Sequence, residues 1–320
     1  MNILVWHVHG SWMTAFVQGR HRYLVPVNAA RDPWGLGRAR TYDWPSSAVE
    51  VTPEELATAD IDVVIAQRPE EIALARRWTG RRLPTVYVEH NTPKGDVPAT
   101  RHPVADRDDL LLVHVTGFNQ LFWDAGGTRS TVVEHGIVPP LASYEGDLPR
   151  LAVVTNEPVR RWRVTGTDLM PRFADVAPLD VFGMGVAGLP ARLGLPPQRL
   201  TPHEDVPQGA LHPAVARRRA YLHLCRWTSL GLSLIEAMAM GMPVVVLAST
   251  EAVEAVPSGA GVLSTKVDTL VEAARWLLDD PAAAGELGAA ARKAATARYG
   301  LDRFLADWDH LLEEERCASR

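Results

Sequence analysis

Cysteine, lysine and long apolar runs are scarce in this 320-residue chain, and each scarcity removes a class of protein. The two cysteines, Cys225 and Cys317, cannot build a disulfide framework and lack the C-x-x-C spacing of zinc or redox sites, so free thiols in a reducing compartment are expected. No apolar stretch approaches the roughly 20 residues of a membrane-spanning helix, and Met1-Asn2-Ile3-Leu4 lacks the basic opening of a secretory signal. A cytoplasmic protein with no transmembrane segment is expected. Three lysines stand against thirty dispersed arginines, and the net charge is −5. That balance produces no broad positive field, so nucleic acid is not an expected partner.

What is present is an ordinary globular composition, 47% apolar and 22% charged, in a chain long enough for two domains. Apolar runs of strand length recur at Ile3 to Val8, Tyr23 to Val27, Ile61 to Ala66, Thr85 to Val88, Leu110 to Val115 and Thr131 to Val133. Their near-continuous apolarity suits strands covered on both faces, as in a parallel sheet. Between them, Thr52-Pro53-Glu54-Glu55 reads as a capping box with proline at the first helical position, and Pro69 to Trp78 has helical spacing. A polar stretch with proline and glycine after Gly136-Ile137-Val138-Pro139-Pro140 marks a linker, and the alternation restarts at Leu151 to Val154. Runs at Val181-Phe182, Tyr221 to Leu224, Val244 to Leu247 and Gly261 to Leu263 follow, with helices at Ser233 to Met240 and Val267 to Leu278. From Pro281 onward the pattern is helical, and Phe304, Leu305, Trp308, Leu311 and Leu312 share one face. Two doubly wound α/β domains are expected, with ligands bound beyond the carboxyl ends of their strands in a cleft between them.

The segment from Arg226 to Pro243 carries the densest signal. A strand ending near Cys225 enters a short loop and then a helix beginning near Ser233, so backbone N–H groups and the positive end of the helix dipole are offered to an anion. A diphosphate fits such a seat. Glu236 lies one turn further on, where a carboxylate can accept two hydrogen bonds from the vicinal hydroxyls of a ribose. Ser233-x-x-Glu236 equally spells a capping box, so both readings of Glu236 stand on spacing alone.

This segment, Gly231-Leu232-Ser233-Leu234-Ile235-Glu236-Ala237-Met238-Ala239 leading into Gly241-Met242-Pro243-Val244-Val245, resembles the Glu-x7-Glu region of retaining GT-B glycosyltransferases of family 4. Val88-Glu89-His90-Asn91-Thr92-Pro93, Glu134-His135-Gly136 and Gly166-x-Asp168 are similar to further family segments in the same order. The resemblance implies two Rossmann-like domains: residues 1–143 on the acceptor side, residues 144–300 on the donor side, and a helix over 301–320 crossing back to the first domain. It implies transfer of a sugar from a nucleotide-diphosphate sugar donor to a hydroxyl of a small-molecule or glycan acceptor, with retained anomeric configuration. By the same resemblance Glu236 holds the donor ribose, the Gly231, Leu232 and Ser233 backbone meets the diphosphate, and Gly10 belongs to a glycine loop that approaches phosphate. Arg161 and Arg163 are the candidate diphosphate ligands, standing in for a lysine that the family often has where this chain has Thr165. His90 matches an active-site histidine, and His135 replaces a common asparagine.

One departure is at Thr228, eight residues before Glu236, where the family has its first glutamate; threonine can hydrogen-bond but carries no charge. This motivates one alternative, a silent nucleotide-sugar-binding protein or partner subunit of the same fold; a sugar epimerase or phosphorylase on that fold is a related enzymatic alternative.

Other signals are discounted. Gly183-x-Gly185-x-x-Gly188 is a literal dinucleotide fingerprint, but Pro190, Pro196 and Pro197 occupy the stretch where its helix should run. His7-Val8-His9 places two imidazoles on one face of a strand end and His114 follows another strand, but the linker near 140 and the restart at Leu151 argue against the single eight-stranded barrel of such metal hydrolases. Asp106-x-Asp108 and Asp307-x-Asp309 spell acidic pairs too short to be specific, so neither metal nor cofactor is expected. Trp12 and Trp227, beside candidate ligand loops, are the tryptophans placed to stack on a base or sugar.

Overall fold

A computed structural model describes residues 1–318; the two residues that complete the expected terminal helix lie outside the described residues. The chain divides into two compact units, one from Met1 to Val138 joined by the segment from Leu301, the other from Pro139 to Gly300.

The first unit runs β1 (Asn2–Val5), α1 (Gly10–Phe16), β2 (Arg22–Pro26), β3 (Ala48–Val51), α2 (Pro53–Leu56) and β4 (Val63–Ala66). It continues with α3 (Pro69–Thr79), β5 (Thr85–Glu89), β6 (Leu111–His114), α4 (Gly117–Phe122) and β7 (Ser130–Val132). Its strands pair in parallel in the order β3-β2-β1-β4-β5-β6-β7. Every residue of β4 and β6 is buried, the environment that continuous apolar runs require. The capping box at Thr52 forms: its hydroxyl accepts the Glu55 N–H at 3.3 Å, and Glu55 Oε2 accepts the Thr52 N–H at 2.7 Å.

The second unit runs β8 (Leu148–Val154), α5 (Pro158–Arg161), a single 3₁₀ turn at Thr167–Leu169, α6 (Met170–Ala174), β9 (Leu179–Gly183), α7 (Leu189–Leu193) and β10 (Leu200–Glu204). There follow α8 (Gln208–Ala216), β11 (Arg218–His223), α9 (Leu232–Met240), β12 (Val244–Leu247), α10 (Ala252–Ala255), β13 (Val262–Ser264), α11 (Val267–Asp279) and α12 (Pro281–Tyr299). The parallel order is β10-β9-β8-β11-β12-β13. The last helix, α13 (Leu301–Ala318), returns to the first unit, where Trp308 packs on Phe16 and Trp12 with ring centroids 5.1 and 5.7 Å apart. Phe304, Trp308 and Leu312 are buried there, and each such side chain withdrawn from water contributes about 1.5–3 kcal/mol.

Two edge strands show no signal in the sequence, for physical reasons. β3 is half-exposed in its middle, and β10 carries Pro202 and polar residues that only an edge tolerates, so neither has a continuous apolar run. In each sheet the chain reverses its direction of build-up once, between β1 and β4 and between β8 and β11. Loops diverge at such points and leave room for ligands. No helix among the described residues is long and apolar enough to cross a membrane.

Candidate functional site

In the second unit the turn after β8 and the loop after β11 flank the reversal point, and they carry most of the predicted donor residues. Arg161 ends α5, and among the described residues no ion pair or hydrogen bond engages its guanidinium. Its charge is close enough to Cys225, just past β11, to pull that thiol's pKa down, although burial dominates and pushes it up to about 11. Arg163 is tied instead: its Nη1 lies 3.3 Å from Asp168 Oδ2. The same carboxylate takes a bidentate pair from Arg226 at 2.6 and 2.9 Å, and the Arg226 N–H donates to the Val164 carbonyl at 2.8 Å. Arg226, which sequence reasoning left unassigned, thus staples the β11 loop to the β8 turn; its position after a strand was the one available signal. Thr165 is buried and bonded to the Thr167 hydroxyl at 2.8 Å, so it does not replace the family's lysine.

The expected helix starts at Leu232. Gly231 is the N-cap of α9, with no capping side chain and no acidic residue in the first turn, which leaves the amide end of the helix for an external acceptor. A Cβ on Gly231 would lie 2.5 Å from the buried His223 ring, so only glycine fits. Leu232 opens the helix, and the Ser233 hydroxyl accepts from Tyr221 Oη at 2.8 Å. Ser233 is therefore not an N-cap, and the capping-box reading of Glu236 does not apply. Glu236 is 9% exposed; its Oε1 accepts from Gln208 Nε2 at 3.3 Å, and His212 Nε2 lies 3.5 Å from Oε2. Gln208 and His212, both on α8, were missed because the contact joins two helices far apart in sequence. Thr228 is half-buried in the loop before α9.

In the first unit Gly10 opens α1, and the place of its absent Cβ lies 2.8 Å from Tyr42 Cε2, whose hydroxyl is 3.0 Å from Ser11 Oγ. The missing side chain thus has a packing reason in Tyr42. His90 follows β5 and is buried between rings: His9 at 4.1 Å, Trp12 at 4.9 Å and His135 at 6.5 Å. Burial, reinforced by the neighbouring His9 and His135, holds His90 well below the ordinary imidazole range. Burial also lowers His135 to about 3 and His9 to about 4, helped by His9 and Arg303 for the first and Arg68 for the second. Neutral imidazoles of this kind exchange hydrogen bonds with hydroxyls and do not deliver protons at neutral pH. Trp12 is fully buried against Phe16 at 4.7 Å, which corrects the expectation that it stacks on a ligand. The predicted residues therefore fall into two groups, Gly10 and His90 on the first unit and Arg161 to Glu236 on the second.

The discounted signals have other employment. After Gly183 comes a five-residue helix, α7, and the N–H groups of Gly185, Val186 and Ala187 are taken by the Glu204 carboxylate. His7 Nδ1 lies 3.0 Å from the Gly37 carbonyl while His9 faces His90. Among the described residues no group of three or more His, Cys, Asp or Glu is arranged to hold a metal ion. Asp106 pairs with Arg101, Asp307 with Arg303, and Asp309 with His21 and Arg20.

Residues 198–294, within the second unit, match the family described as Glycosyl transferases group 1. No curated protein matches the sequence. Among solved structures, Anabaena HepE in complex with UDP is 15% identical with a TM-score of 0.70, covering 98% of this chain and 100% of that one. Sucrose-phosphate synthase from Thermosynechococcus elongatus is 16% identical with a TM-score of 0.71, covering 99% and 100%. AviGT4, a glycosyltransferase involved in Avilamycin A biosynthesis, is 16% identical with a TM-score of 0.62, covering 99% and 98%. At such identities the likeness is one of fold. The chain has the GT-B fold, and the match over residues 198–294 of its second unit supports a glycosyltransferase.

Proposed function

We propose that the chain is a cytoplasmic, retaining, metal-independent enzyme of the family 4 type, which moves a sugar from a nucleotide-diphosphate sugar to an acceptor hydroxyl. The observation that carries this reading is the pairing of an unengaged arginine, Arg161, with the uncapped amide end of α9 on the two sides of the β8/β11 reversal. Negative charge grows on the departing diphosphate in the transition state, and prearranged donors aimed at it are what lower the barrier. Arg161 offers a planar fork, Gly231, Leu232 and Ser233 offer backbone, and Arg163 adds charge from its place beside Asp168. Glu236, steadied by Gln208, receives the ribose diol, and the neutral His90 exchanges a hydrogen bond with a sugar or acceptor hydroxyl. Gly10 opens the first unit's glycine loop, whose backbone approaches the donor phosphate, and Thr228 reads the donor sugar without charge. With the Glu236 carboxylate assigned to the ribose, the family resemblance implies retention by same-face attack, with the leaving phosphate taking the acceptor proton.

Structures of HepE hold UDP and UDP-glucose, which makes uridine diphosphate sugars the first donors to try. Thermal shift with uridine, guanosine and thymidine diphosphate sugars selects the donor, because bound ligand stabilises the native state by mass action. Arg161→Ala is expected to lower kcat about 10²–10³-fold, Arg163→Ala far less, and Glu236→Ala to weaken nucleotide binding. Unchanged kcat in Arg161→Ala, or unchanged affinity in Glu236→Ala, defeats the corresponding assignment. Thr228 favours one second reading, a protein that binds the nucleotide sugar without transferring it; binding with neither transfer nor slow hydrolysis across an acceptor panel would select that reading.

A further inference from the structure

The glycine-rich turn after β9 is a concavity of consecutive backbone N–H groups, the usual form of an anion site. Here it is filled from within. Glu204, at the end of β10, accepts the Gly185 N–H at 2.6 Å and the Val186 and Ala187 N–H groups at 2.9 Å each. Asn156 Oδ1 takes the Met184 N–H at 2.9 Å, so four successive amides are satisfied by side-chain oxygens. Those hydrogen bonds hold Glu204 below the ordinary carboxylate range, and the charge and the cradle stabilise each other.

The filled turn is also the wall against which the Arg161 segment rests. The Glu157 N–H donates to the Met184 carbonyl at 2.7 Å, and the Arg161 N–H donates to the Glu157 carbonyl at 2.8 Å. On the far side, the Arg192 guanidinium of α7 lies 4.3 Å over the Trp162 ring, next to Arg161. The supported segment is strained: Glu157 has φ +56 and Trp162 has φ +35, conformations that persist only where the surroundings overdetermine them. An arginine held between two such residues is aimed by its support, not by its own helix, because α5 has only four residues.

We infer that Glu204 is a positioning residue for Arg161: by filling the 184–187 turn it sets the support that aims this guanidinium. The inference rests on the reading of Arg161 as a diphosphate ligand. Its test is a double-mutant cycle on the full chain. Glu204→Gln keeps the shape but turns an amide NH₂ toward backbone donors, and kcat is expected to fall about tenfold with little change in acceptor KM. In the Arg161→Ala background the same substitution should change kcat less than about twofold, and the affinity for inorganic pyrophosphate, which reads the phosphate seat without a base, should show the same non-additivity. Additive losses, or a Glu204→Gln variant with full kcat, overturn the inference while leaving Arg161 in place. Unchanged kcat in Arg161→Ala alone overturns the underlying reading and the inference with it, and that outcome is seen in the single variant. Should Glu204→Gln not fold, Asn156→Ala, which frees the Met184 N–H of the same turn, takes its place in the cycle: non-additive losses support the inference, and additive losses or full kcat overturn it.

Discussion

The first unit gathers eight of the eleven histidines and seven of the ten tryptophans; the second is organised by arginines and carboxylates. Around β1, β5 and α13 the first unit packs uncharged rings, His90 on His9 and Trp308 on Phe16. The second buries Asp180 on β9 under Arg150 at 2.6 Å, Arg218 at 2.8 Å and His203 at 3.0 Å, and closes its carboxyl-end loops with the Arg226–Asp168 pair. Two parallel sheets of like topology are thus tied differently, by ring packing around His90 and Trp308 in the first and by ion pairs at Asp180 and Asp168 in the second.

The strongest way to break this contrast is to remove its two anchors. Trp308→Ala is expected to cost about 3–5 kcal/mol by opening a cavity among Trp12, Phe16 and Phe304. Asp180→Ala should cost a similar 3–5 kcal/mol or so, by stranding Arg150 and Arg218. Calorimetry should show each variant lowering the transition of its own unit; a Trp308 variant that shifts the second unit equally would defeat the division.

Acid should separate the units next. Burial lowers His135 to about 3, His9 and His114 to about 4, and holds His90 well below the ordinary range, whereas in the second unit His223, at about 4, is the counterpart. Unfolded histidines titrate near 6.5, so between that value and the lowered ones the unfolded chain binds more protons. Stability is then full above about pH 7 and falls as pH drops, by about 1 kcal/mol per buried histidine between pH 6.5 and 5.5. The first unit should melt ahead of the second in that window, and equal acid sensitivity of both transitions would contradict the assignment. The smallest effect expected is that of Thr52→Ala, which removes an exposed cap outside the ring cluster. It should cost about 1 kcal/mol and leave the acid profile unchanged, which a denaturant titration at two pH values checks.

How much was legible depended on range. The Thr52 box, the buried central strands and the loop-to-helix turn at Gly231 are local patterns, and they appear where the sequence places them. The two readings of Glu236 could not be separated from spacing alone, because the choice turns on whether helix α9 starts at Leu232 or after Ser233. Gly10 looked like a phosphate-approach glycine, and what fills its Cβ position is Tyr42, thirty-two residues away. Trp12 beside a ligand loop looked like a platform, but α13, almost three hundred residues later, covers it.

By itself the amino-acid order determined the alternation of strands and helices, the turn from loop to helix before Glu236 and the supply of arginines, because periodicity, turn chemistry and charge act over a few residues. Only the folded chain decided that Asp168 ties Arg163 and Arg226 while Arg161 stays unengaged among the described residues, and that Glu204 fills the glycine turn. Those outcomes depend on which carboxylate arrives within hydrogen-bond reach, and sheet topology sets that distance.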